Sequence, residues 1–182
     1  MAKTDETLKL EMEIWETTHK QGVFCCFEVT IGWFGNERVD YLTYDTKGIF
    51  RCYEIKVSKS DFNSKAKKTF VGHYNYYVMP KSLYDEVKDV IPVHVGVYCD
   101  KTCVKKAKKQ EPTVGIDILK DSLLRSLSRE VEKQIASRST PIINSYKAQI
   151  KYYKKRADEY YQEYWKLRRE AEERFGRRWR DL

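Results

Sequence analysis

Thirteen residues separate Asp40 from the triplet Glu54-Ile55-Lys56, and these side chains are of the types that can cut a phosphodiester. On a β-strand, residues i and i+2 share a face, so Glu54 and Lys56 set a carboxylate beside an ammonium. A second carboxylate from the preceding strand, Asp40, would complete a pocket of two acids and one cation. Hard divalent ions such as Mg2+ or Mn2+ favour oxygen-rich surroundings of this kind. A lysine in the same pocket can orient a water or a phosphate against the ion. Solvated cross-strand ion pairs use the same residue types, so the pattern gains weight only from the elements that would position it.

Those elements are readable. Gly22 ends a first helical stretch, and Val23–Ile31 is a β-branched and aromatic run expected to be a strand. Trp33 to Glu37 reads as a turn and Arg38–Tyr44 as a second strand. Asp45-Thr46-Lys47-Gly48 has the residues of a tight hairpin turn. The third strand, Ile49–Val57, carries Phe50, Cys52, Glu54 and Lys56 on one face. A hairpin of this length is expected to bring Asp40 beside Glu54 or Lys56. Beyond it, Ser60 is the expected N-cap of a lysine-rich helix, Phe62–Val71. His73–Met79 follows as a strand, Lys81–Val90 as a short helix and Val93–Tyr98 as a fifth strand.

The D-x13-E-x-K spacing and the order helix, three strands, helix, strand resemble the PD-(D/E)xK nuclease superfamily. The chain is most similar there to the MmcB-like DNA-repair family and its phage relatives. The resemblance rests on Arg38-Val39-Asp40, on the block from Glu54 to Phe62, on Tyr76-Tyr77-Val78-Met79-Pro80, and on Ile91 to Tyr98. It spans roughly residues 8–100, with Val39 standing where the superfamily name has proline. It implies an α/β, restriction-endonuclease-like core, a mixed central sheet flanked by helices. It also implies Asp40 and Glu54 as metal ligands with the Ile55 carbonyl as a third, and Lys56 as the residue assisting water or phosphate. A further acid is expected from the first strand or first helix. Glu28 is favoured over Glu11, because a strand carboxylate reaches the sheet pocket without a helix docking at one particular angle. Lys59, Lys65, Lys67 and Lys68 are candidates for tracking a DNA backbone, and His73 is a further candidate near a strand entry. The resemblance implies DNA as partner and a cytoplasmic setting in a bacterial or phage-infected cell.

Composition narrows the classes. The formal charge of +8 favours an anionic partner. No apolar run is long enough to cross a bilayer, and Met1–Asp5 lacks a signal-peptide pattern, so no membrane partner is expected. Of five cysteines, Cys25, Cys26 and Cys52 fall in expected core strands, which suits reduced thiols. Cys99 and Cys103 near His94 lack a second ligand pair, which argues against zinc.

The chain divides, on this reading, into a core of residues 1–117 and a helical extension of residues 118–182. Thr113–Asp117 is a last short strand or a linker, and Ser137–Pro141 breaks the extension. Ile143, Tyr146, Ile150, Tyr153, Ala157, Tyr160, Tyr164, Leu167 and Ala171 then follow alternating steps of three and four. That phase predicts a long helix with one seam for a partner helix, such as a coiled-coil homodimer or a fold back on its own domain. Arg177-Arg178-Trp179-Arg180 adds charge and a stacking ring. Two functions therefore stand: a metal-dependent DNA endonuclease or repair nuclease, or a non-catalytic nucleic-acid-binding or assembly protein using the same fold as a scaffold.

Overall fold

The computed structural model describes residues 3–35, 37–64 and 68–176. It has two compact units, Met1–Glu130 and Val131–Leu182. The first opens with α1 (Asp5–Thr18), β1 (Val23–Thr30), β2 (Arg38–Asp45), β3 (Phe50–Ile55), α2 (Lys59–Phe62) and β4 (Tyr74–Val78). There follow α3 (Lys81–Val87), a 3-10 turn, β5 (Gly96–Cys99), β6 (Thr102–Lys105) and α4 (Ile116–Arg138). The six strands form one mixed sheet in sequence order. β1, β2 and β3 run antiparallel, β3, β4 and β5 parallel, and β6 turns back antiparallel to β5. The α/β class, the mixed sheet and the long C-terminal helices are those expected from the sequence.

Local chemistry accounts for the elements around the triplet. Thr4 caps α1, its hydroxyl accepting from the Thr7 N–H, with Asp5 and Glu6 in the electropositive first turn. Leu10, Ile14 and Thr18, four residues apart, are the buried stripe of α1. Leu8 and Trp15 are half-exposed, while the Glu11 side chain is largely covered and bonds Lys3. In the β2–β3 turn, the Asp45 carboxylate accepts from the Lys47 and Ile49 N–H groups, and Gly48 adopts φ +80°. This turn fixes the pairing of Tyr44 with Phe50 through Tyr41 with Tyr53. One step further along the same register, Asp40 faces Glu54.

The sheet is covered on both faces. Leu10 and Ile14 pack with Tyr41, Tyr53, Ile55 and Val78 on one side. Leu119 and Leu123 of α4 pack with Leu42, Phe50 and Cys52 on the other. A third cluster, joining Phe62, Tyr77, Met79, Leu83 and Val97, lies beneath α2 and α3. The first turns of α4 thus belong to the sheet's own core.

Several boundaries differ from expectation. Ser58, not Ser60, is the N-cap of α2, its hydroxyl accepting from the Asp61 N–H, and the helix is one turn long. Of the expected helix Phe62–Val71, only Phe62 is helical among the described residues; Lys65 and Lys67 lie outside them, as does Arg177-Arg178-Trp179-Arg180. Thr102–Lys105 is a sixth strand beyond the five expected, because its backbone pairs with the edge of β5. Thr113–Val114 is not a strand; α4 starts at Ile116.

Candidate active site

Glu54 and Lys56 lie at the C-terminal end of β3, where the sheet's pairing with β2 runs out. Both are almost wholly buried, Glu54 at 3% and Lys56 at 8% exposure. Buried charges of this kind are rare without partners, and the partners are present. Asp40 reaches across from β2, and its Oδ2 accepts from the Ile55 N–H at 2.9 Å. Glu54 Oε1 accepts from the Thr69 N–H at 3.1 Å. Lys56 Nζ stands 3.8 Å from Glu54 Oε2 and 3.6 Å from Asp61 Oδ1. Its own peptide N–H is held by the Val78 carbonyl at 2.9 Å.

The electrostatics follow from that crowding. Burial, then the nearby Asp40 charge, pushes the Glu54 carboxyl up to about 8; Lys56 and the Thr69 N–H only partly oppose this. Burial also raises the Asp40 carboxyl, against the pull of the Ile55 N–H and Lys56. Tyr77, paired with Glu54 across the parallel β3–β4 ladder, is raised to about 12 by burial and by the Glu54 charge. Two acids and one ammonium share a space too dry to hold both acids ionised comfortably. Thr69, itself buried, has a hydroxyl oxygen with no hydrogen-bond partner among the described residues.

Glu28 lies directly opposite Asp40, between the pairs Phe27–Tyr41 and Val29–Val39. It takes φ +55°, a left-handed conformation costly for a side chain other than glycine or asparagine. Phe27 and Tyr41 pack toward α1, while Val29 and Val39 join the α4 cluster, so the alternation slips at Glu28 and Asp40. Such an irregularity re-aims side chains at the end of a sheet. The Arg129 guanidinium holds the Glu28 carbonyl at 3.1 Å. The Glu28 carboxylate is paired with Lys3 at 2.8 Å and Arg38 at 2.6 Å, and Lys3 also bonds Glu11. The two acids in contention for the fourth position are thus linked through one lysine. The Glu28 charge raises the Asp40 carboxyl further, while Lys56 and Arg38 lower it.

The remaining candidates are more dispersed. His73 sits at the other end of β3, where its Nδ1 accepts from the Phe50 N–H at 3.0 Å and its ring stacks on Phe50. Four residues of strand, roughly 13 Å, separate that point from Glu54. Lys59, largely exposed, is paired with Glu86 at 3.5 Å. The Lys68 ammonium lies over the Phe62 ring, 5.5 Å from its centroid.

Two participants were not singled out from the sequence. Asp61 faces Lys56, and its Oδ2 accepts from the Val57 N–H at 3.3 Å. The spacing Ser58-x-x-Asp61 is a capping-box pattern that could have flagged it. Thr69 carried no local signal, since only the tertiary fold brings it to Glu54.

Among the described residues, no three His, Cys, Asp or Glu side chains stand close enough to hold an ion by themselves. Two carboxylates and a neighbouring peptide carbonyl, Ile55, suit an ion that keeps several waters, as magnesium does, better than zinc. The raised Glu54 carboxyl and the orphaned Thr69 hydroxyl are consistent with a place for a cation and its water.

No protein-family model matches the chain, and no curated protein matches it. A solved structure of a protein of unknown function from Silicibacter pomeroyi shares the fold, with a TM-score of 0.57. It is 16% identical, and the match covers 77% of this chain and 95% of that one. At that identity the likeness is one of fold alone. Among the described residues, no helix is long and apolar enough to cross a membrane.

Proposed function

We propose that this protein is a metal-dependent nuclease that hydrolyses DNA phosphodiesters, with Asp40 and Glu54 as ion ligands and Lys56 as the catalytic cation. The observation that carries the reading is the buried Glu54 beside the half-buried Asp40, like charges sharing one space with a buried ammonium. A scaffold has no use for so costly an arrangement, and perturbed carboxylates of this kind cluster at functional sites. The resemblance to the PD-(D/E)xK superfamily, and within it to the MmcB-like family, points the same way.

The chain's own groups have separable roles. The Ile55 and Thr69 N–H groups each occupy one oxygen of Asp40 and Glu54, fixing the carboxylates so that the other oxygen of each can meet a cation. Mg2+ or Mn2+ held there supplies Lewis acidity, drawing charge from a phosphate oxygen and acidifying water. Glu54 holds a proton near neutrality when alone and gives it up when a cation shares the site. Lys56, oriented by Glu54 and Asp61, offsets the charge carried by the phosphoryl oxygens as the attacking oxygen enters. Glu28, behind Asp40, would act through it as a positioning residue.

Trp33 and Phe34 support DNA as the substrate. Because β2 and β3 are antiparallel, the β1–β2 turn projects from the same sheet end as Glu54 and Lys56. Phe34 is 99% exposed and Trp33 74%. Their turn is pinned by Arg125, whose guanidinium bonds the Thr30 and Gly32 carbonyls and lies under the Trp33 ring. Exposed flat rings on a fixed turn suit stacking with unpaired bases. The second reading, a non-catalytic assembly protein, draws its support from the solvent-facing tyrosines of the C-terminal helix.

Supercoiled plasmid incubated with Mg2+ or Mn2+ tests the proposal. Wild type is expected to nick it, while Lys56→Ala and Asp40→Asn lose at least about a hundredfold in rate, the scale of one lost electrostatic group. Equal cutting by all three proteins, or no cutting of any DNA form, refutes it.

A further inference from the structure

α5 (Thr140–Phe175) is a 36-residue helix, about 54 Å long at 1.5 Å per residue, with no buried residue. Tyr146, Ile150, Tyr153, Tyr160, Tyr164 and Leu167 along its seam are each 55–65% exposed. Helices draw most of their stability from packing an apolar face, so a seam this long facing water is incomplete. We infer that α5 pairs with α5 of a second copy of this chain, and that the two helices run antiparallel.

Charge selects the occupant and its direction. The half from Thr140 to Ala157 carries Lys147, Lys151, Lys154, Lys155 and Arg156 and no acid, a net +5. The half from Asp158 to Phe175 carries six acids against four bases, a net −2. A parallel pair would stack the +5 halves on each other. An antiparallel pair sets each basic half against the other copy's acidic half.

Side-chain size selects the same direction. With the pair centred between Ala157 and Tyr160, Ala157 faces Tyr160, Tyr146 faces Ala171, Ile150 faces Leu167 and Tyr153 faces Tyr164. Both alanines then receive a tyrosine ring. In a parallel pair each residue meets itself, so tyrosine crowds tyrosine while the alanine layers leave gaps. Covering the eight half-exposed seam tyrosines of two helices, with their Ile and Leu neighbours, buries roughly 1,200–1,600 Å2, the size of a stable interface. At the flanks, Arg156 of one helix faces Glu163 of the other. In the parallel alternative, Glu163 would face Arg168. The inference is independent of nuclease activity.

Sedimentation of the full chain across concentration, with circular dichroism as the check on helicity, tests it. The wild type is expected to dimerise and Tyr153→Glu to be monomeric. Arg156→Glu or Glu163→Arg alone is expected to weaken the dimer roughly tenfold, and the double exchange to restore it. A wild type that stays monomeric at every concentration overturns the pairing. A double exchange no tighter than Glu163→Arg alone, with helicity intact, overturns the antiparallel direction.

Discussion

Replacing Glu54 by glutamine should stabilise this protein at alkaline pH while abolishing ion binding. Glu54 rises from an ordinary 4.5 to about 8 on folding, because burial and Asp40 both disfavour its charge. A carboxyl whose folded value lies above its unfolded one binds more protons when folded. Its contribution to stability is therefore whole below about 4.5 and is lost as pH rises through about 8. At 1.36 kcal/mol per unit, ionisation of Glu54 without a cation costs on the order of 5 kcal/mol above pH 8. The amide of the Glu54→Gln variant resembles the protonated acid, and its carbonyl oxygen can still accept the Thr69 N–H. The variant's melting temperature at pH 8.5 in chelator should exceed the wild type's by about 10 °C, and the two should converge near pH 4.5. Thermal melts across that range, each with and without Mg2+, make the assay. Saturating Mg2+ should raise the wild-type curve at pH 8.5, by about 2.7 kcal/mol at a hundredfold excess over Kd, and leave the variant nearly unmoved. Coincident curves at pH 8.5, or a gap that does not close on acidification, would refute this account of the pocket.

Two further outcomes are expected. Trp33→Ala with Phe34→Ala should weaken binding of forked or single-stranded DNA by about 10-fold or more, at 1–3 kcal/mol per stacked base, and affect fully paired DNA less. Fluorescence anisotropy in Ca2+ reads this without cleavage, and equal affinities would remove the turn from the substrate site. His73→Ala should cost about 1–2 kcal/mol in urea unfolding, because the Phe50 N–H loses its acceptor, with the nicking rate per folded molecule unchanged. A large fall in that rate would return His73 to the chemistry.

Much of the site was legible because strand chemistry is local. Alternation alone sets Glu54 and Lys56 on one face, and the Asp45-to-Gly48 turn fixes the register that carries Asp40 to Glu54. The helix α1, the strands β1 to β5 and the three-and-four rhythm of α5 likewise follow from spacing and turn residues within a dozen positions. The short α2 was misjudged because lysine content reads as helical, whereas the Ser58 cap and the pull of Asp61 toward Val57 and Lys56 begin and shape a single turn.

What only the tertiary structure decided is which groups meet from distant parts of the chain. Thr69 arrives at Glu54 from fifteen residues away, Arg129 supports the left-handed Glu28, and Lys3 ties Glu28 to Glu11. No period or turn signal encodes these contacts, since each depends on how a loop or helix lies across a finished sheet. The sequence determined that two acids and a lysine would stand together. Burial, a property of the whole packed sheet, determined that Glu54 would resist ionisation.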